Sequence, residues 1–231
     1  MPRALTLLYQ DDDLAIVDKP SGLLVHRGWG DDAVVAMTLL RYQLGLHVFP
    51  VHRLDRGTSG ALVFALSSQV AAALQRQFEE GAVRKRYLAL VRGAPREVEG
   101  VVDHPVPKTE DGPRVPAVTQ WRRLWAGEPA SAPPGRRFSL IEAEPRTGRF
   151  HQIRRHLKHL GHPLVGDVNY GRGEINRLFR EEYGLRRLAL HARSVTLLHP
   201  RTGQQIVAQA SVPDDLASTF LALGIPDEVW R

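Results

Sequence analysis

The run Ala61-Leu62-Val63-Phe64-Ala65-Leu66 is continuously apolar, and a strand of that kind is stable only where both of its faces are covered. It is expected at the centre of a sheet. The chain enters it through His52-Arg53-Leu54-Asp55-Arg56-Gly57-Thr58-Ser59-Gly60, so a carboxylate flanked by two arginines sits in a glycine- and hydroxyl-rich turn at the strand's mouth. Adjacent positive charges favour the ionised carboxylate, which suits a nucleophile or base better than a general acid. The same Arg-x-Asp-Arg pattern is also what a surface ion-pair knot looks like.

Composition narrows the partners. With 31 Lys and Arg against 25 Asp and Glu, the formal charge is +6, a balance that fits a polyanion, nucleic acid first. The absence of cysteine removes disulfides, thiol nucleophiles and Cys-ligated metal sites, and makes a reducing cytoplasm the expected home. Asp11-Asp12-Asp13 closes the short apolar N-terminal run, unlike a signal peptide, and no apolar run reaches membrane-spanning length.

Periodicity places the elements. Leu5–Tyr9 and Leu14–Val17 read as a hairpin, broken by Lys19-Pro20-Ser21-Gly22. A helix capped by Asp31 or Asp32 runs to Leu44 with Gly45 at its C′ position, and a second, capped by Ser67 or Ser68, carries Val70, Leu74 and Phe78 and ends at Gly81. Arg84 to Val91 alternates as a strand with Tyr87, Ala89 and Val91 on one face. Strands are expected at Ala117–Trp125 and Phe138–Glu144, with surface loops at Pro95–Pro116 and Ala126–Arg137. A helix to Leu160, a short helix near Ile175–Tyr183, strands around Leu188–Leu198 and Gln205–Ala210, and a helix from Asp214 complete an α+β chain.

The helix near Phe150 carries the second informative pattern. Phe150, Ile153, Leu157 and Leu160 form one apolar stripe, and Arg154 lies at its edge while Arg155 and Lys158 point outward. An arginine turned toward a core needs a carboxylate, and Asp55 is the best candidate; the alternative is that Arg154 snorkels to water. His151, His156, His159 and His162 are close in sequence, but carboxylates and cysteines at ligand spacing are missing, and no metal is expected. Ser59 near His52 and Asp55 lacks the nucleophile elbow of a hydrolase. Tyr87 alone could be a core aromatic.

Asp18-Lys19-Pro20-Ser21-Gly22, His52 to Gly60, Lys85-Arg86-Tyr87, Arg146 to Arg154, and Gly161-His162-Pro163 with Gly166-Asp167 together resemble the RluA-type pseudouridine synthases. The resemblance implies the pseudouridine synthase fold, a mixed and mostly antiparallel central sheet flanked by helices and loops. It implies one catalytic domain over residues 1–231, two lobes around a central cleft, without an N-terminal S4-like RNA-binding domain. The implied activity is isomerisation of a uridine in structured RNA by a catalytic aspartate and base flipping, without cofactor. Residue by residue, it implies that Asp55 is the catalytic aspartate, that Tyr87 stacks on the flipped uracil, that Arg154 pairs with Asp55, and that Arg53 fills the gap left by the nucleotide. Lys85, Arg155 and Lys158 are candidate RNA contacts. Gly22 to Arg27 and Arg154 to Pro163 look most like members acting on uridine-65 of tRNA; a 23S rRNA substrate, or a catalytically silent RNA-binding or chaperone module, are the alternatives. Monomer is the default expectation, and no membrane association is expected.

Overall fold

The computed structural model describes residues 4–27, 34–129 and 135–231. Its elements are β1 (Thr6–Gln10), β2 (Leu14–Lys19), α1 (Ala36–Leu44), β3 (Phe49–Pro50), β4 (Ser59–Ala65), α2 (Ser68–Glu79), β5 (Arg84–Arg92), β6 (Glu99–Asp103), β7 (Val106–Pro107), β8 (Arg114–Val115), β9 (Val118–Gly127), β10 (Phe138–Pro145), α3 (Gln152–His159), α4 (Gly173–Glu182), β11 (Leu190–Leu198), β12 (Gln205–Gln209), α5 (Asp214–Ala222) and α6 (Asp227–Trp230). They form two compact units, one comprising Met1–Lys85 and Ala192–Ala210, the other Arg86–His191 and Ser211–Arg231.

In the first unit the strands run in the order β1-β2-β4-β11, with β3 also on β4 and β12 on β11. Every residue of β4 is buried, as its unbroken apolar run requires. Ala61, Val63 and Ala65 share a core with Leu14 and Ile16 of β2 and with Ala71 and Leu74 of α2, while Leu62 and Phe64 are equally enclosed on the opposite face. Ser67 caps α2 by accepting the Val70 amide, and Gly45 ends α1 in the left-handed region, its amide reaching the Arg41 carbonyl. The proposed Asp31 or Asp32 cap lies outside the described residues; α1 begins at Ala36, after Val35, whose amide donates to Thr38 Oγ1.

The second unit is an antiparallel array β5-β10-β9-β6. Leu88, Leu90, Phe138 and Leu140 face a core built with Ile175 and Phe179 of α4 and Leu216 and Phe220 of α5. One expectation fails here. The stretch read as a loop, Pro95–Pro116, contains β6, β7 and β8. β6 is an edge strand that buries Val102 and leaves Val101 exposed, and an edge needs only one apolar face, so its pattern is too weak to stand out among the prolines. The terminal turn α6, which buries Trp230, also escaped the sequence reading.

Two of the three aspartates between β1 and β2, Asp11 and Asp13, are tied to the turn after β11. His199 Nε2 lies 2.9 Å from Asp11 Oδ2, while its Nδ1 accepts the amides of Arg201 and Thr202, which fixes the Nε2 proton as the one donated to Asp11. Arg201 grips both oxygens of Asp13. Burial acts to raise the pKa of Asp11, but the Tyr9 hydroxyl, the Leu14 and Asp13 amides and His199 outweigh it and hold it below the usual carboxylate value. A carboxyl lowered by folding stabilises the native state above its unfolded pKa, and that contribution is lost as pH falls through the folded pKa. Asp11→Asn is therefore expected to cost about 1–3 kcal/mol in urea unfolding at pH 7, with the gap to the parent closing below about pH 4; an equal gap at pH 3 would contradict this.

Candidate active site

Asp55 stands on the turn that leads into β4, and that turn is held by the segment following β2. The Asp55 carbonyl accepts the Thr58 amide at 3.0 Å. Arg56 donates from Nε to the Gly22 carbonyl at 3.0 Å, and its own carbonyl accepts the Gly22 amide at 2.8 Å. Ser21 Oγ donates to the Gly57 carbonyl at 2.9 Å. Beneath them Lys19, 0% exposed, directs its ammonium at the carbonyls of Pro20 (2.9 Å), Leu23 (2.8 Å) and Arg56 (3.4 Å). A buried ammonium has three donors and no acceptor, so it draws separate chain segments together at one point. Sequence reasoning left Arg56 without a role and gave none to Lys19, although a lysine two residues past the apolar Leu14–Val17 run was the available signal. Arg53 is exposed and Asp55 half-buried.

His52 is structural. Its Nε2 accepts the Val63 amide at 3.0 Å, and its ring stacks on Phe78 with centroids 4.6 Å apart. Burial, reinforced by the Lys85 charge and opposed by a backbone hydrogen bond near Arg53, pushes its pKa down to about 3. Gly60 completes the turn: at φ 110° its place admits no side chain, since a Cβ would lie 2.2 Å from the Ala192 carbonyl oxygen.

The second unit holds Tyr87, Arg154, Arg155 and Lys158. Tyr87, buried on β5, lies opposite Ala143 of β10, which lies opposite Trp121 of β9. Thr119, two residues along β9, faces the same side, and it receives α3. Gln152 Nε2 donates to Thr119 Oγ1 at 3.0 Å, and His156 Nδ1 lies 2.9 Å from the same oxygen. Tyr87 and α3 therefore share one face of this sheet, away from the Leu88–Leu90 core.

Arg154 on α3 is 7% exposed and makes a two-pronged pair with Asp167, itself 1% exposed: Nε to Oδ2 at 2.7 Å, Nη2 to Oδ1 at 2.8 Å. Within its own unit Arg154 thus has a carboxylate partner in Asp167, a contact that sequence reasoning did not name. Burial acts to raise the pKa of Asp167, but the Arg154 hydrogen bonds and charge and the Tyr170 and Asn169 amides hold it below the usual carboxylate range. Gly166, at φ 76°, makes the turn possible, because a Cβ there would meet the Arg187 carbonyl oxygen at 1.9 Å.

Cations gather on one aromatic ring. The guanidinium carbons of Arg154 and Arg155 lie 5.0 and 4.9 Å from the Tyr170 centroid and the Lys158 ammonium 5.7 Å from it, within the range of cation–π attraction. The Tyr170 hydroxyl lies 3.1 Å from His151 Nδ1, and His151 opens α3 at φ 53°, the one non-glycine positive φ among the described residues. Lys158 is exposed. Lys85, grouped with the RNA contacts from sequence, is 8% exposed with its ammonium 5.8 Å from the Phe78 ring centre.

The histidines of α3 are committed elsewhere. His156 has both ring nitrogens engaged, Nδ1 by Thr119 and Nε2 by the His104 carbonyl at 2.9 Å; burial, with His104 and His159 adding to it, lowers its pKa against the opposing hydrogen bond to His104. His159 stacks on His104 at 4.0 Å, and His162 Nδ1 faces the Arg92 carbonyl at 3.0 Å. Among the described residues no group of three or more histidine or acidic side chains is arranged around a metal position.

Two outcomes test this geometry. Lys19→Met leaves carbonyls beneath the Asp55 turn without a donor, at roughly 1–3 kcal/mol for each one left unsatisfied, and is expected to lower both thermal stability and turnover; a variant equal to the parent in both would remove the clamp from the account. His52 is expected to show no ring titration by NMR between pH 5 and 8, since its pKa is pushed to about 3. A group lowered in this way leaves the unfolded chain binding more protons below its pKa of about 6.5, so native stability falls as pH drops from there toward 3, and a midpoint near 6.5 in the folded protein would contradict the assignment.

Residues 13–159 match the RNA pseudouridylate synthase family. The chain is 45% identical to tRNA pseudouridine synthase C of Salmonella typhimurium, covering 98% of this chain and 91% of the relative, and 43% identical to tRNA pseudouridine synthase C of Vibrio parahaemolyticus, covering 100% and 99%. Among solved structures it resembles human RNA pseudouridylate synthase domain containing 4, with a TM-score of 0.75 at 27% identity over 95% of this chain and 93% of that one. The sequence match across both units, together with the shared mostly antiparallel fold, makes this chain a member of the RNA pseudouridylate synthase family, an RNA isomerase of the RluA type.

Proposed function

We propose that the chain isomerises uridine-65 of tRNA. What supports the tRNA substrate is the 45% identity, over nearly the whole of both chains, to a relative whose name specifies tRNA. The net charge of +6 suits a polyanion of that kind. In this reading residues 1–231 work as one catalytic domain whose two lobes flank the RNA, and the protein acts as a monomer in the cytoplasm.

Pseudouridine formation breaks the N1–C1′ bond, turns the uracil and joins C5 to C1′; the proton lost from C5 is balanced by one gained at N1, so no outside reagent is consumed. Asp55 is the carboxylate that carries it, either by adding to C1′ or C6 or by taking the C2′ proton. Tyr87 stacks on the extruded uracil, and Arg154, its guanidinium oriented by Asp167, keeps the Asp55 carboxylate charged and aimed. Extrusion costs a few kcal/mol of unstacking, roughly, which Arg53 offsets by occupying the gap. Arg155 and Lys158 contact phosphate.

The test is nucleotide-resolved pseudouridine mapping of tRNA and rRNA from cells lacking the protein, restored with either the parent or Asp55→Asn. Loss of modification at tRNA position 65 alone, restored by the parent and not by the variant, is expected, with single-turnover activity of Asp55→Asn down by more than about a thousandfold and tRNA binding retained. Loss at an rRNA position instead, or rescue by Asp55→Asn, would overturn the substrate or the role of the aspartate respectively.

A further inference from the structure

Among the described residues two buried side-chain polar atoms have no hydrogen-bond partner, Thr58 Oγ1 and Arg155 Nε. The second belongs to a guanidinium packed on Tyr170 and Phe150, where stacking accounts for its position. The first has no such explanation. Thr58 is 2% exposed, and valine would fill the same space without enclosing a hydroxyl. Its amide donates to the Asp55 carbonyl at 3.0 Å, closing a four-residue turn, and turns of that kind bring their first and last Cα atoms within about 7 Å. The orphan hydroxyl is therefore rooted beside Asp55, on a turn that the Lys19 and Arg56 contacts hold in place.

We propose that Thr58 is a positioning residue whose hydroxyl donates a hydrogen bond to the Asp55 carboxylate when RNA occupies the site. A carboxylate offers about four lone-pair positions, so Asp55 can accept this bond in addition to its others. The hydroxyl is left open in the free protein and is satisfied as the carboxylate swings to meet the ribose or the base. The proposal rests on Asp55 being the catalytic group, and it adds a residue that acts through Asp55 without touching the substrate.

The experiment compares Thr58→Val and Thr58→Ser with the parent on a tRNA transcript, reading kcat, KM and thermal midpoint, with Asp55→Asn alongside. The expected result is a kcat for Thr58→Val lower by about ten- to a hundredfold, the range in which one charge-assisted hydrogen bond acts, with KM within about twofold, the thermal midpoint unchanged or higher, and Thr58→Ser within about threefold of the parent. Should the valine variant fail to fold, Thr58→Ala against Thr58→Ser makes the same comparison. A valine variant as active as the parent, or a serine variant as impaired as valine, overturns the role of the hydroxyl. An active Asp55→Asn would instead overturn the catalytic aspartate itself, so the two failures are distinguishable.

Discussion

A guanidinium and a carboxylate enclosed together in a protein interior must satisfy each other, because each alone would carry a desolvation cost of several kcal/mol. Arg154 and Asp167 meet that requirement with two parallel hydrogen bonds, and much of the second unit is arranged around them. The Asn169 and Tyr170 amides converge on the same carboxylate. Asn176 of α4 bonds both the Asp167 carbonyl and the Gly166 amide, so the turn is tied to the next helix. α3 is fixed on its other flank by Gln152 and His156 at Thr119. The result is an arginine whose rotamer is set by polar partners, on the same sheet face as Tyr87.

The first unit solves a different problem with the same physics. The turn carrying Asp55, the proposed catalytic carboxylate, has many backbone groups outside any ladder, and these need partners where water is scarce. Lys19, Ser21 and Gly22 supply them from a neighbouring loop, Arg56 on the turn donates back to the Gly22 carbonyl, and His52 anchors the preceding segment to the centre of β4. The contacts that Lys19, Ser21, Gly22 and Arg56 make around Asp55 therefore act on the backbone of the turn. In each unit the side chain proposed to act is presented by a frame of buried polar contacts.

Periodicity made the strongly patterned elements legible: β4 as a fully buried strand, α2 with its serine cap, β5 with Tyr87 on a defined face, and α3 with Ile153 and Leu157 inward. It failed where a pattern was short or one-sided, as in β6 between prolines and in α6. The family segments were legible as a set, but the pairing of Arg154 with Asp167 inside them was not. Arg154 was recognised as needing a carboxylate, and Asp167, thirteen residues on, was overlooked because nothing in the spacing shows that the Gly161–Gly173 connection folds back beneath α3. The burial of Lys85 was hidden for a related reason: a lysine next to two arginines reads as surface, while strand alternation puts it on the enclosed face of β5. Side-chain pairing across loops depends on the path of the backbone, and a one-dimensional pattern carries little of that.

The most direct test of the account is a double-mutant cycle on Arg154→Met and Asp167→Asn, read as unfolding free energy in urea. Each single change strands a buried charge and is expected to cost about 3–5 kcal/mol, while the double variant, with neither charge left, is expected to be about as stable as either single one, a coupling of at least about 2 kcal/mol. Costs that add to within about 0.5 kcal/mol would show two independent side chains, and would remove the pair as the constraint around which the site is built.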